Sequence, residues 1–539
     1  MTDATDNRSS LAVGVALAAT VAFGVWLFTP VPEGMQPAAW RLAAVVFLMA
    51  SLWITQAVPI AAVSLIPLVA FPLLGIQSAK AVSGTYVDEN LFLYLGGFVI
   101  ALGIEKWGLH RRIALHIVRV LGTGPRQVVL GFMAATAFLS MWISNTAATL
   151  LMLPIGLALI GSIRELSVGS DTGKTHDATT NRFATVLMIA IAYAASIGGV
   201  TTLVGTPTNV AFVGIWNRQF PADKYADVPT ISAGEWTLAV FPIGLVLLLC
   251  AWGLLTCRLP SRLGERPLQR SFFTDRLRAL GKATPAERRM LAIFVVTACL
   301  WIFRKPLTFD ERQLIPGWGE ELARFLAWFP PTSDWGVQPA MLHDSTVAIG
   351  MALLMFVIPA GRSHDESRGT LMDWRTAERL PWGILLLIGG GFAIAGAFRT
   401  TELADWLGRE FAGLVAGWPP WLLVAAVCLL MTFLTELTSN VATVSTLLPV
   451  LAATALGIGV DPRLIMIPAT ISASCAFMLP IATPPNAIVF GSGKIRMSQM
   501  ANYGLALNLI GVAIVTLGTF TLIAPLLGIP LDGSPEWLR

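Results

Sequence analysis

Charge is what this chain has least of. Asp, Glu, Lys and Arg make up 13% of its 539 residues, about half the roughly 25% found in soluble domains. With 55% hydrophobic residues and a mean hydropathy of +0.70, the composition excludes an ordinary soluble protein. The net charge is only +4, and the basic residues sit in short blocks between apolar runs, which reads as a topology signal and not as a nucleic-acid surface. Cysteine is equally sparse. The five residues, Cys250, Cys257, Cys299, Cys428 and Cys475, lie in or at the edge of apolar runs without a CxxC pair. They read as buried small hydrophobes, with no metal site and no disulfide framework. The five histidines, His110, His116, His176, His343 and His364, fall in or near expected loops, where a solvated imidazole is the plain reading.

Enzyme signatures are missing too. There is no HExxH zinc helix and no GxSxG elbow. Gly169 to Thr175 imitates a phosphate loop but is one residue short and follows no strand, so it counts as a chance match. A membrane-embedded enzyme would need a catalytic dyad at membrane depth, and the one acid beside a polar word there, Glu436, has no evident partner. Its first-half counterpart is Met141, which favours a supporting role for the acid over chemistry.

Long apolar runs are abundant instead. They fall at about 11–29, 39–57, 58–76, 91–109, 128–160, 183–215, 233–256, 290–303, 343–360, 381–398, 420–456, 463–490 and 502–527, each near or above the roughly 20 residues a spanning helix needs. The first is long enough to span and is followed by more spans, so it reads as a retained helix and not a cleaved signal. Two runs, 128–160 and 420–456, are too long for one span and carry polar words at their middles. A re-entrant hairpin explains both features.

Those words are written twice. Ser144-Asn145-Thr146-Ala147-Ala148-Thr149, leading to Leu153-Pro154-Ile155, recurs as Ser439-Asn440-Val441-Ala442-Thr443, leading to Leu448-Pro449-Val450. Gly205-Thr206-Pro207-Thr208-Asn209 is echoed by Ala482-Thr483-Pro484-Pro485-Asn486, each breaking an apolar run with proline. Leu95-Gly96-Gly97-Phe98 precedes Ser144 by nearly the interval at which Gly390-Gly391-Phe392 precedes Ser439; these glycines read as close-packing positions. Basic residues cluster before the first hairpin (Lys106, Arg111, Arg112, Arg119, Arg126) and fill 257–289, so both blocks are expected in the cytoplasm. The expectation is an all-α integral membrane protein, with about eleven transmembrane helices plus two re-entrant helical hairpins in an inverted repeat. The segment 304–342, rich in tryptophan and proline, is expected outside, along the interface.

The chemistry of the words is that of neutral oxygen. Ser140 and Ser144 are four residues apart, as are Thr435 and Ser439, which places each pair on one helical face. With Asn145, Asn440 and carbonyls freed at Gly205 and Ala482, they offer two cages of uncharged oxygen. Hard cations prefer such ligands, and a cage without carboxylates suits a monovalent ion, sodium being the natural candidate. Ser, Asn and Thr donors with helix N-termini suit an anion. No Lys or Arg lies within the words, so bound cations would supply the compensating charge. A single Ser-Asn-Thr word in an apolar run is more often a packing or capping device; the duplication is what lifts it above that reading.

The two Ser-Asn words, together with the stretch Ser474-Cys475-Ala476-Phe477-Met478-Leu479-Pro480-Ile481-Ala482-Thr483-Pro484-Pro485-Asn486-Ala487, resemble the divalent-anion/sodium symporters of the DASS or INDY type. The resemblance covers nearly the whole chain and points to the bacterial dicarboxylate branch, in a multi-pass cytoplasmic membrane protein. It implies a homodimer with scaffold helices at the contact (1–125 and 290–412) and hairpin-bearing transport regions (126–256 and 413–539) that move as an elevator, joined by the basic linker 257–289. It implies sodium-coupled uptake of succinate, malate or fumarate, with sulfate or other divalent-anion symport, or dicarboxylate exchange, as alternatives. Matched position by position, one sodium site takes Ser140, Ser144, Asn145 and Gly205, and the other Thr435, Ser439, Asn440 and Ala482. Substrate contacts fall to Ser144, Asn145, Thr146, Thr206, Pro207, Ser439, Asn440, Val441, Thr483 and Pro484. Val441 departs from the threonine of many relatives and leaves substrate choice most open; Thr208 stands where the second half has Pro485.

Overall fold

The computed structural model describes residues 2–121, 124–167, 173–225, 227–260, 270–309, 312–329, 335–361, 369–415, 417–531 and 533–538. The first half of the chain forms α1 (Thr2–Trp26), α2 (Pro37–Thr55), α3 (Ile60–Val63), α4 (Ile66–Leu73), α5 (Ala79–Gly84), α6 (Glu89–Lys106), α7 (Leu109–Leu121), α8 (Pro125–Ser140), α9 (Asn145–Ser167), α10 (Gly173–Val200), α11 (Pro207–Gln219) and α12 (Ala233–Thr256). After α13 (Arg270–Ala279) come α14 (Pro285–Ile302), a hairpin of β1 (Leu307–Phe309) and β2 (Arg312–Ile315), α15 (Trp318–Trp328), α16 (Asp344–Val357), α17 (Trp374–Ala377), α18 (Trp382–Thr400) and α19 (Leu403–Val415). The second set of broken helices is α20 (Pro420–Leu434), α21 (Asn440–Gly457), α22 (Arg463–Ala473) and α23 (Pro484–Phe490), followed by α24 (Met497–Gly518) and α25 (Ala524–Leu526). Among the described residues, eight helices are long and apolar enough to cross a membrane, or nine if the bent pair α19–α20 is one span.

Punctuation in the sequence sets the helix ends. Ser232 and Glu235 close a capping box on α12, and Thr284 and Glu287 close one on α14. Pro125, Pro207, Pro420 and Pro484 each stand in the first turn of a helix, where a missing N–H costs nothing. Pro154 of α9 and Pro449 of α21 occupy matching interior positions.

The two halves interleave. The Gly-Gly-Phe helix of each half packs into the other: a Cβ on Gly96 (α6) would meet the Ala348 backbone of α16 at 2.6 Å, and one on Gly390 (α18) would meet the Ser64 carbonyl after α3 at 2.6 Å. No side chain fits at either crossing, as the close-packing reading requires. α10 packs against both α8 and α9, and α22 against both α20 and α21. Residues 183–200 of α10 are all buried, so this stretch sees protein on every side and not lipid.

Several local expectations need correction. Among the described residues there is one short β hairpin, within the segment expected along the interface; α15 there turns Leu322, Phe325 and Trp328 outward. His110 is not in a solvated loop: α7 buries it, and its Nδ1 lies 3.0 Å from the Ile104 carbonyl. Cys428 and Cys475 are buried, but Cys250 is half-buried and Cys257 and Cys299 face outward, because the faces of α12 and α14 that carry them point away from the core. The phosphate-loop mimic lies largely outside the described residues, and its last residues simply begin α10. Arg262, Arg266 and His364 also lie outside them.

The two basic blocks lie against each other. Arg112 of α7 pairs with Glu287 at 3.0 Å and bonds the carbonyls of Leu280 and Gly281, while Arg126 bonds the Leu259 carbonyl at 3.0 Å. A second pair is sealed in the protein. Asp461 and Arg463 are 0% and 4% exposed and meet at 2.7 Å, and the guanidinium also reaches the Leu527 carbonyl at 3.0 Å. Asp461→Ala should therefore destabilise the protein by about 3–5 kcal/mol, because it leaves a buried cation without its partner. Replacing both residues with apolar ones should cost less. Thermal unfolding of the purified variants in detergent checks the order.

Candidate functional site

The four polar words meet around one cavity of about 920 Å³. Each lies where a helix stops and another begins. α8 ends at Ser140 and α9 starts at Asn145; α20 ends at Leu434 and α21 starts at Asn440; the other two breaks separate α10 from α11 and α22 from α23. Thr206, Ser439 and Thr483 hold extended backbone as N-caps, and the Ser144 hydroxyl accepts the Ala147 N–H at 3.2 Å. Four helices therefore aim their N-terminal ends into the same space, each bringing unpaired N–H groups and the positive end of its dipole. Among the described residues, no Asp, Glu, Lys or Arg lines the cavity.

Twelve of the fourteen residues singled out in the sequence line this cavity: Ser144, Asn145, Thr146, Gly205, Thr206, Pro207, Ser439, Asn440, Val441, Ala482, Thr483 and Pro484. Ser140 and Thr435 do not. Both are fully buried behind the wall. Ser140 remains tied to the site, donating to Asn145 Oδ1 at 2.6 Å, and a Cβ on Gly199 would come within 2.3 Å of that same oxygen. A Cβ on Gly205 would in turn meet the Gly199 carbonyl at 2.4 Å, so this corner closes only because both residues are glycine. The second corner is looser. Thr435 donates to Met431 and Thr432 of its own helix and makes no bond to Asn440, whose buried Oδ1 has no partner.

Side chains outside the expected set hold the breaks in shape. Asn209 donates to the carbonyls of Val200 and Thr202 at 2.9 and 2.8 Å, and Asn486 to those of Ala476 and Leu479 at 3.2 and 3.1 Å. The two asparagines do the same work in the two halves. Their signal was the repeated Thr-Pro-x-Asn spacing, to which sequence reasoning gave no role. Thr208, the residue unmatched by its counterpart, bonds Ser474 at 2.9 Å and Thr206 at 3.1 Å, joining the first broken helix to the second. Glu436 accepts the N–H groups of Met478 and Leu479 at 2.8 and 2.9 Å and the amide of Asn508 at 2.8 Å. It pins the second Ser-Asn break to the α22–α23 connection, the supporting role its position suggested.

The opposite wall comes from other helices: Ile54, Gln56 and Ile60 around the end of α2, Tyr94 of α6, and Ile384 and Leu387 of α18. Apart from Thr55, Gln56 and the tyrosine hydroxyl, that wall offers little to a charged ligand. Gln56 has φ of 52° and ends α2 in the left-handed region, a feature without a sequence signal.

An interleaved helical repeat around a charge-free cavity at broken helices defines a multi-pass membrane transporter. The chain belongs to the sodium:sulfate symporter family, whose transmembrane-region profile matches residues 12–529. It is 37% identical over 499 residues, 92% of this chain and 89% of the relative, to the sodium-dependent dicarboxylate transporter SdcS of Staphylococcus saprophyticus. It is 38% identical over 490 residues to SdcS of Staphylococcus aureus, covering 91% and 87%. Two solved structures share the fold at TM-score 0.52. MtrF of Neisseria gonorrhoeae, which illuminates a class of antimetabolite efflux pumps, is 14% identical and is matched over 98% of this chain and 97% of its own. The YdaH transporter of Alcanivorax borkumensis is 13% identical, with 90% and 98% covered.

Removing the Glu436 carboxylate would orphan three donors. Glu436→Ala should cost on the order of 3 kcal/mol, and Glu436→Gln, which keeps one acceptor, should fall between it and the parent protein. Thermal unfolding in detergent measures both, and an unchanged melting temperature for the alanine variant would remove the supporting role.

Proposed function

We propose that the protein is a sodium-coupled importer of C4-dicarboxylates in the cytoplasmic membrane of a bacterium. The observation that carries this reading is the convergence of four helix N-termini on a cavity that, among the described residues, no charged side chain lines. A dianion there would find N–H donors and hydroxyls but no fixed cation. Taking bare charge out of water is costly unless it is paired, so the dianion binds well only once cations occupy the oxygen cages. That dependence couples the two fluxes. The names of the relatives, sodium-dependent dicarboxylate transporters, support the same substrate and ion.

In this reading the first sodium ion takes Ser140, Ser144, Asn145 and Gly205, and the second takes Thr435, Ser439, Asn440 and Ala482. The carboxylates of the substrate reach Ser144, Asn145, Thr146 and Thr206 on one side and Ser439, Asn440 and Thr483 on the other, with Pro207, Val441 and Pro484 shaping the space. The chain crosses the bilayer about eleven times with two re-entrant hairpins, and works as a homodimer. The largely apolar wall of α2, α6 and α18 suits an elevator, because a surface with few polar partners lets the ion-bearing helices slide past it. Sulfate is the second reading. The family profile is described by that anion, and Val441 is an apolar residue on the cavity wall that offers a dicarboxylate no hydrogen bond.

Purified protein in liposomes should accumulate labelled succinate under an inward sodium gradient, with net positive charge entering. Unlabelled malate and fumarate should compete and sulfate should not. Sodium-independent uptake that requires internal dicarboxylate would sink the symport reading. Asn145→Ala and Asn440→Ala should each reduce sodium-dependent uptake by about tenfold or more, the loss expected when a ligand to a charged group goes. Gly199→Ala should act like Asn145→Ala by displacing the amide, with the protein still monodisperse on a sizing column.

A further inference from the structure

A second cavity, of about 840 Å³, lies away from the four words, where the N-terminal part of α10, the end of α12 and the start of α24 come together. Its wall carries four cations, Arg182, Arg258, Lys494 and Arg496, with Gln499 and Tyr503 from the first turns of α24. Among the described residues no acidic side chain lines it, and none of the four cations takes part in an ion pair. Four of the less exposed cations of this protein are paired instead: Arg112 with Glu287, Arg218 with Asp88, Arg304 with Asp344 and Arg463 with Asp461. Arg182, Arg258 and Arg496 are exposed and Lys494 is half-buried, so water screens part of their mutual repulsion, and an anion among them would relieve the rest. The 22-residue α24 adds to the effect by opening its N-terminus at Arg496 and Met497.

We infer that this hollow is an anion site for a phosphate group, separate from the transport cavity. Arginine suits such a group because its planar fork meets two oxygens at once. The wall also holds Val186, Leu254 and Ile495, so part of the space is apolar beside the cations. A phospholipid headgroup with the start of its chains fits that mixture, and free phosphate shares the headgroup chemistry. The cavity stands at the end of α12 that leads into the basic segment and at the start of α24, beside residues 181–186 of α10. Thr185 of α10 closes it from behind by donating to the Lys494 carbonyl at 2.8 Å. An occupant would bind α10, α12 and α24 to one another, and α10 runs from here to Gly199 beside Asn145.

The test uses the full-length protein in detergent. Native mass spectrometry compares bound phosphatidylglycerol with phosphatidylcholine, and calorimetry follows inorganic phosphate. Phosphatidylglycerol should bind in preference to phosphatidylcholine, and the double substitution Arg182→Gln with Arg496→Gln should weaken that binding by about tenfold or more. Arg324→Gln, which alters an exposed cation outside the cavity, should leave it unchanged. Saturable binding of inorganic phosphate, lost in the same double variant, would also establish the site and assign it to a free anion. Should the double variant not stay monodisperse, Lys494→Gln alone should weaken the same binding severalfold. Equal binding of every probe by parent and charge-neutralised proteins overturns the proposal.

Discussion

A polar backbone inside a membrane must find partners within the protein, and this requirement governs the centre of the molecule. Four helices stop there, and each stop frees carbonyls or N–H groups that lipid cannot satisfy. Asn209 and Asn486 take up carbonyls in the two proline-marked breaks, and Glu436 takes up two N–H groups in the second. What these side chains leave unpaired is what a ligand can use. The binding cavity is thus the remainder of a hydrogen-bonding problem solved everywhere else, and its neutrality follows from solving it mainly with amides and hydroxyls.

The same requirement explains what could be read from the chain in advance. Polar words in apolar text are costly, so Ser144-Asn145, Ser439-Asn440 and the two Thr-Pro words announced both the breaks and the cavity wall. Their duplication announced the repeat, and the Gly-Gly-Phe pairs announced two of its close crossings. Which residues stand behind the wall was not legible. Ser140 and Thr435 share the four-residue spacing to their partners, yet only Ser140 touches an asparagine of the site. Spacing fixes a helical face, and a rotamer then decides whether the hydroxyl turns to a neighbour or to its own helix. Gln56, Ile384 and the rest of the facing wall were invisible for another reason: their role comes from contacts far along the sequence, between halves that interleave. His110 misled because a titratable residue near a helix start looks like a loop residue until its neighbours are known.

The two halves share a plan without being copies. The first corner is closed by Gly199, Gly205 and the Ser140–Asn145 bond, whereas the second leaves Asn440 Oδ1 without a partner. A preformed corner loses little freedom when an ion arrives; an open one must order itself first. Duplication supplied two corners of the same parts, and small differences in packing leave one preformed and the other open.

The hydroxyl pair Thr208–Ser474 lies between the two broken helices, where the second half has proline in place of threonine. Each break alone is a hinge, since neither α10–α11 nor α22–α23 runs through as one helix. The two breaks therefore share a direct contact of 2.9 Å, and a displacement of one would meet the other there first. Two joints of the repeat are thus tied as a single bearing, and a load placed on either side reaches the other through one pair of hydroxyls.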